Sequence, residues 1–109
     1  MLTLYGLETC DECRKVLRLL RARGLEHRFV DVRAQVPAAA ELADWGAQLG
    51  WEILLNRKST TWRQLDDARR ALQSTEQSIA LVQEFPTLLK RPLVVIDGRA
   101  SIGLPAGIV

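Results

Sequence analysis

The N-terminal stretch changes its hydrophobic period twice, and this change constrains the fold more than any other feature of the sequence. In LTLYG, Leu2 and Leu4 alternate with other side chains, as in a strand with one buried face. From Asp11 apolar residues recur at spacings of three and four, which predicts a helix that ends at Gly24. HRFVDV, residues 27–32, predicts a second strand. A strand, a helix and a strand within about thirty residues form a βαβ unit, so the two strands are expected to be parallel with a right-handed crossover.

The middle of the chain, approximately residues 37–90, has a helical pattern throughout. Pro37 can begin a helix, and Gly50 can end it. Capping boxes at Thr61 and Ser74 predict the starts of two more helices, TWRQLDDARRALQ and SIALVQEF, with one further turn in PTLLK. These helices are expected to form an insertion between the βαβ unit and the C-terminal part of the chain.

The C-terminal part returns to a strand pattern. Leu93–Ile96 is a continuous apolar run, as in a strand that is covered on both faces. Asp97 and Gly98 are a strong hairpin signal, and residues 100–103 would form the returning strand. The order β-α-β, helices and β-hairpin predicts an α/β protein with a four-stranded mixed sheet and a helical insertion, in a single domain over residues 1–109.

Composition sets limits on the partners of the protein. The 15 Lys and Arg residues nearly balance the 13 Asp and Glu residues, and the net charge of +2 predicts neither nucleic-acid nor membrane binding. The charged residues are expected to form solvated helix faces, among them the arginines outside the apolar stripe of the first helix. No apolar run is long enough for a transmembrane helix, and MLTLYG has no basic leader, which predicts a cytoplasmic protein.

The two cysteines, Cys10 and Cys13, form a C-x-x-C pair where the first strand gives way to the first helix. Thr9 is expected to be the N-cap of this helix, with Glu12 as its capping-box partner. Backbone N–H groups at a helix N-terminus stabilise a thiolate, and Arg14 could add positive charge, whereas the carboxylate of Glu12 acts in the opposite direction. In a reducing cytosol such a pair favours redox or metal chemistry over a structural disulfide.

Two other interpretations of the pair stay open. A closed zinc site needs four ligands, and the chain offers the two thiols and His27, which lies on a different predicted element, so no metal site is expected. Free cysteines are also common core residues, and Cys13 shares the apolar stripe of the helix.

Three motifs resemble the arsenate reductase (ArsC) and Spx family over almost the whole chain. They are YGLETCDECRK, LGWEILLNRKSTTWRQLD and KRPLVV. The resemblance implies a thioredoxin-like fold, a reactive Cys10, and an Arg91-Pro92 pair in which the proline is cis and lies beside the active cysteine. The middle motif is similar to the YffB-like subgroup of small bacterial proteins, which are proposed to be glutathione-dependent thiol reductases.

The resemblance also bears on arsenate reduction, for which the family uses a cysteine and three arginines. The cysteine corresponds to Cys10 and one arginine to Arg91. The second is replaced by Asn56, with Arg57 adjacent, and the third by Leu104. Because arginine is the bidentate partner that tetrahedral oxyanions prefer, the loss of two should weaken arsenate binding.

The functional prediction is a thiol–disulfide oxidoreductase with no bound cofactor and with glutathione, or another small thiol, as co-substrate. Cys10 would be the nucleophile, Cys13 the resolving thiol, and Arg91 a catalytic cation. Substrate would contact the set Arg14, Asn56, Arg57 and Pro92. One alternative is an Spx-like regulator that binds the α subunit of RNA polymerase through a Cys10–Cys13 disulfide switch, and another is an arsenate reductase.

Overall fold

The computed structural model describes residues 1–108. Strands and helices follow one another in the chain with these bounds: β1 Leu2–Gly6, α1 Asp11–Ala22, β2 His27–Asp31, α2 Ala39–Leu49, α3 Trp51–Leu54, α4 Thr60–Gln64, α5 Asp67–Arg70, α6 Thr75–Glu84, a 3-10 turn Pro86–Leu88, β3 Leu93–Ile96 and β4 Arg99–Ile102.

The chain forms two compact units. Within the described residues, the sheet unit comprises residues 1–35 and 91–108, and the helical unit comprises Val36–Lys90. The expectation of a single domain stays a prediction. Over residues 1–108, the helices are all too short or too polar to cross a membrane.

The sheet unit contains a four-stranded mixed sheet in the order β2-β1-β3-β4 within the described part of the chain. β1 and β2 are parallel, with Leu2 opposite His27, and β1 and β3 are antiparallel, with Leu2 opposite Ile96. β3 and β4 form the C-terminal hairpin. The predicted α/β class and mixed sheet are therefore confirmed. β4 begins at Arg99, one residue earlier than predicted.

Two turns in the sheet unit use the left-handed region of backbone space. In the hairpin, Asp97 has φ 49° and Gly98 has φ 85°, which matches a two-residue turn with positive φ at both positions. At the end of α1, Gly24 has φ 66°, and its N–H donates to the carbonyl of Arg21 at 3.1 Å. Both turns were predicted from glycine, because this residue adopts positive φ without a steric cost from Cβ.

One face of α1 packs against the sheet. The buried residues of α1 are Cys13, Leu17 and Leu20. They form a hydrophobic cluster with three buried residues of the sheet: Leu2, Leu4 and Val94. Full burial of a leucine side chain contributes about 2–3 kcal/mol. This cluster therefore fixes the rotation of α1 on the sheet, and with it the placement of the cysteines in the first turn.

The helical unit differs from the prediction in its central helices. The helix expected from a cap at Thr61 to residue 73 is instead two short helices, and the cap of α4 is Ser59, which accepts from the N–H of Trp62. Leu65 has an extended backbone, which ends α4. Asp66 is the N-cap of α5, and its side chain accepts the N–H of Arg69. A second capping side chain thus competes with continuation of the helix, as aspartate does readily.

Other parts of the helical unit follow the sequence more closely. Ser74 caps α6 as predicted, accepting from the N–H of Gln77 at 3.1 Å. α2 begins at Ala39 rather than at Pro37, and the turn after Pro86 is present. The helix α3 was not predicted, because four residues are too few to show a helical period.

Candidate active site at the start of α1

Cys10 lies at the junction between the β1–α1 loop and α1. It is the N-cap residue, with an extended backbone of φ −83° and ψ 122°, and it is half-buried. Its N–H donates to the carbonyl of Leu7 at 3.1 Å, and its carbonyl accepts the N–H of Arg14 at 3.0 Å. These two hydrogen bonds fix the backbone of Cys10 without using its thiol.

The structure corrects the prediction that Thr9 is the N-cap. Thr9 is exposed and lies one residue before the cap, and the Cys10 side chain makes no capping hydrogen bond. The N–H groups of the first turn of a helix have no intrahelical partners, and the helix dipole adds positive potential there. The start of α1 is therefore able to stabilise an anion such as a thiolate.

Cys13 lies in the first turn of α1, faces the sheet and has a solvent exposure of 0%. Its sulfur packs against the backbone of Gly6, the last residue of β1. A Cβ at Gly6 would overlap that sulfur and would lie 3.4 Å from the Cys13 Cβ. Gly6 is thus a residue of the site that was not predicted. A glycine at the end of a strand can indicate that another group approaches the backbone closely.

The surroundings of Cys13 keep its thiol protonated at neutral pH. Burial raises the pKa of Cys13 from 9.0 to about 11, and a side-chain hydrogen bond with Cys10 acts in the same direction. A backbone hydrogen bond from Leu7 and the charge of Arg91 lower that pKa but do not offset the burial. Both cysteines are free thiols, and Cys10 packs against the buried cluster that contains Cys13, close enough to act on its thiol.

Arg91 and Pro92 lie in the sheet unit with the thiols. The Arg91–Pro92 peptide bond is cis, Pro92 is buried, and its carbonyl accepts the N–H of Gly103 at 2.8 Å. Arg91 is half-buried and close enough to Cys13 for its charge to act on the thiol. The positive charge of Arg91 favours the thiolate form of Cys13 and lowers the pKa of that thiol.

Arg14 holds the loop that precedes α1. Its Nε donates to the carbonyl of Glu8 at 2.7 Å, and one of its terminal nitrogens lies 4.0 Å from the carboxylate of Asp11. The guanidinium therefore ties the first turn of α1 back to the loop that carries Cys10.

Asn56 and Arg57 belong to the helical unit. The Asn56 side chain accepts the N–H of Lys58 at 3.2 Å, and the Arg57 guanidinium lies 5.7 Å from the centre of the Trp62 ring. These contacts shape the turn before α4. A role of either residue in substrate binding stays a prediction.

The structure thus brings Cys10, Cys13 and Arg91 together in one unit, with Arg14 and Pro92 in the same unit. In the described range 1–108, no cluster of three or more His, Cys, Asp or Glu side chains is arranged to hold a metal ion. The chemistry available is that of two neighbouring thiols, one half-buried and one fully buried, at the positive end of a helix.

A four-stranded mixed sheet with a cysteine at the start of its first helix and a cis-proline before its third strand defines a thioredoxin-like protein. Residues 5–108 match the model of the ArsC family, and the chain belongs to this family. It is 37% identical to an uncharacterized protein of Haemophilus influenzae over 94% of this chain and 90% of that protein. The solved structure of a protein named YffB superposes with a TM-score of 0.89 at 32% identity, covering 96% of this chain and 92% of that one.

Two further relatives have functional names. The global transcriptional regulator Spx of Listeria innocua is 24% identical over 94% of this chain and 79% of its own length. An arsenate reductase of Neisseria meningitidis is 27% identical over 88% of this chain and 84% of its own length. The family thus includes both a regulator and an enzyme.

Proposed function

We propose that the protein is a thiol–disulfide oxidoreductase that uses Cys10 as the attacking thiolate and Cys13 as the resolving thiol. The observation that carries the proposal is the proximity of a half-buried Cys10 at the uncapped start of α1 to a fully buried Cys13. The more exposed sulfur can meet a substrate, and the buried one can meet only its neighbour.

In the first step the Cys10 thiolate attacks one sulfur of a substrate disulfide. A bond forms between Cys10 and that sulfur, the substrate S–S bond breaks, and the other substrate sulfur departs as a thiolate. The open N–H groups of α1 and the charge of Arg91 stabilise negative charge at the protein sulfurs.

In the second step Cys13 attacks the Cys10 sulfur, and its proton passes to the departing substrate sulfur. The bond between Cys10 and the substrate breaks, the second substrate sulfur leaves as a thiol, and the Cys10–Cys13 disulfide forms. One external disulfide is then reduced to two thiols, and two molecules of a thiol such as glutathione would restore the protein while forming glutathione disulfide. Because the pKa of Cys13 is about 11, only a small fraction is thiolate at neutral pH, so this step is expected to be the slower one.

Glutathione is the proposed co-substrate, and the cytoplasm is the proposed compartment, where glutathione keeps thiols reduced. Support for glutathione comes from the similarity to the YffB-like subgroup, and Pro92 would border the groove where the peptide lies. The proposal includes no bound cofactor.

The test is intact-mass analysis with thiol counting after treatment with glutathione disulfide. The expected result is a stable glutathione adduct in Cys13→Ser, a Cys10–Cys13 disulfide without adduct in wild type, and no adduct in Cys10→Ser. Two thiols that stay free in wild type would contradict the proposal, and so would an adduct that survives in Cys10→Ser.

A second candidate function is supported by the match to Spx and by the proximity of the two thiols. In this alternative the Cys10–Cys13 disulfide is a switch that changes affinity for the α subunit of RNA polymerase, without turnover. A pull-down with reduced and with oxidised protein separates the two functions. Equal recovery of the polymerase in both states, or none in either, would contradict the switch.

A further inference from the structure

A groove of about 500 Å³ lies in the sheet unit between α1 and the edge strand β2. Its volume falls within the range of small-molecule sites, about 300–1,000 Å³. Leu17 and Phe29 form its apolar wall, and His27 lines it from the start of β2, with Nδ1 donating to the Leu25 carbonyl at 2.9 Å. The groove therefore has one apolar wall, and the hydrogen bond of His27 fixes its ring at the side of the groove.

The other wall of the groove is basic. Arg14, Arg18 and Arg21 line it from α1, and Glu8 is the single acidic residue among the described lining residues. Arg18 and Arg21 form no ion pair within residues 1–108 and are exposed. From the sequence these arginines were expected on a solvated helix face. The helical period cannot show that strand β2 lies beside them and forms the other side of the groove.

The row of arginines begins at the reactive loop. Positions 10, 14, 18 and 21 recur at spacings of three and four, so Cys10 lies at the N-terminal end of the same side of α1. With a rise of 1.5 Å per residue, Arg14 lies roughly 6 Å, Arg18 roughly 12 Å and Arg21 roughly 16 Å beyond Cys10 along the helix axis. An extended tripeptide spans roughly 10 Å. The long side chains of Arg14 and Arg18 lean toward the N-terminus of α1 and shorten the distance to a peptide whose sulfur is bonded to Cys10.

We propose that this α1–β2 groove is a carboxylate-binding subsite for the thiol reaction, which holds the anionic end of a small peptide thiol while its sulfur is bonded to Cys10. This inference rests on the proposed function and names the class of its thiol co-substrate: a peptide thiol with carboxylates near its sulfur, such as glutathione, held in its mixed disulfide with Cys10. Arginine is suited to this role because its fork donates two parallel hydrogen bonds to a carboxylate.

The kinetic test uses Cys13→Ser, in which the adduct on Cys10 accumulates. Adduct formation is timed with glutathione disulfide and with the uncharged bis(hydroxyethyl) disulfide. Arg18→Gln is expected to slow the reaction with glutathione disulfide about fivefold, the scale of one exposed ion pair, and to leave the reaction with the uncharged disulfide unchanged. Arg21→Gln should have a smaller effect, because this arginine lies roughly one turn farther from Cys10 along α1 than Arg18 does.

The matched control is Arg23→Gln, which removes the same charge from an exposed position of the chain outside the groove. It should leave both reactions unchanged. An equal loss with both disulfides in Arg18→Gln, no loss at all, or the same loss in Arg23→Gln would overturn the proposed subsite. Arg14 is left intact in these variants because it ties down the Cys10 loop.

A binding measurement separates failure of the subsite from failure of the proposed function. S-methylglutathione has the carboxylates of glutathione but no reactive sulfur, and it is titrated into Cys10→Ser with chemical-shift detection. Shifts at the groove residues, with a dissociation constant about fivefold weaker in Arg18→Gln, are expected even if Cys10 reacts with no disulfide. Absence of shifts at the groove would overturn the subsite whatever the reactivity of Cys10.

Discussion

The start of α1 differs from the starts of three helices in the helical unit. α4, α5 and α6 each begin with a side-chain cap, in which Ser59, Asp66 or Ser74 accepts the N–H of the third helical residue. α1 begins at Cys10, whose side chain makes no such bond, and its third helical residue is the buried Cys13. The three capped starts belong to the helical unit, where α2 and α3 begin after Ala38 and Gly50, residues that offer no capping side chain. The start of α1 belongs to the sheet unit.

The difference shows how a helix start can be kept available for chemistry. A side-chain cap stabilises a helix by about 1 kcal/mol, but it occupies the N–H groups that would otherwise attract an anion. α1 is held instead by packing of its inner face on the sheet, through Cys13, Leu17 and Leu20. Three predictions test this difference between helix starts that a side-chain cap stabilises and the start of α1, which packing on the sheet stabilises.

The largest expected effect concerns the pH dependence of stability. The pKa of Cys13 is raised on folding, so the folded state resists ionisation, and the contribution of the neutral thiol is present below pH 9 and is lost as pH rises toward 11. A shift from 9.0 to about 11 corresponds to a loss of about 3 kcal/mol in the free energy of unfolding. Urea unfolding of the reduced protein at pH 8 to 11 measures this loss.

The control is Cys13→Ala, in which the other titrating groups remain. It should be less stable than wild type at pH 8 and should lose less stability on going to pH 11. Parallel curves for the two proteins would show that burial of Cys13 does not hold the start of α1 as described.

A smaller effect is expected from Gly6→Ala, which adds a Cβ where the Cys13 sulfur lies. Overpacking of this kind costs about 1–3 kcal/mol, and denaturant unfolding of the reduced protein measures it. The double variant Gly6→Ala/Cys13→Ala removes the overlapping sulfur, so the cost of Gly6→Ala should shrink in that background. Additive losses in the double-mutant cycle would mean that the two residues do not interact.

The smallest effects are expected at the caps, and they should have opposite signs. Ser74→Ala removes a cap from α6 and should lower the free energy of unfolding by about 1 kcal/mol. Cys10→Ser places a capping residue at the start of α1 and should raise it by up to about 1 kcal/mol, while abolishing thiol exchange. Thermal unfolding of the reduced proteins gives both values, and a loss of stability in Cys10→Ser would contradict the view that this start is uncapped.

The sequence was sufficient where one strong local signal decided the structure. Strand alternation at Leu2 and Leu4, the hairpin at Asp97 and Gly98, and the serine cap at Ser74 all lie within a few residues of what they specify. It was insufficient where two local signals competed, as at Thr61 and Asp66, where a second cap divided the expected helix.

The candidate site shows the same limit. The cysteine pair was visible as a motif, but two features of the candidate site depend on contacts between different helices and strands. The close approach of Gly6 to Cys13 joins a strand to a helix, and the groove beside Arg18 needs the edge strand β2. The spacing of apolar residues in a helix predicts which side chains lie outside the core. It does not predict which neighbouring strand or helix those side chains contact.

The contact between Gly6 and Cys13 also restricts how sequences of this family can diverge. A side chain at position 6 would occupy the space of the sulfur at position 13, so substitutions at the two positions should be correlated. Relatives that retain a buried second thiol here are expected to have glycine seven residues before it. Those with a larger residue at that position are expected to have lost the second cysteine and to depend on an external thiol to complete the reaction.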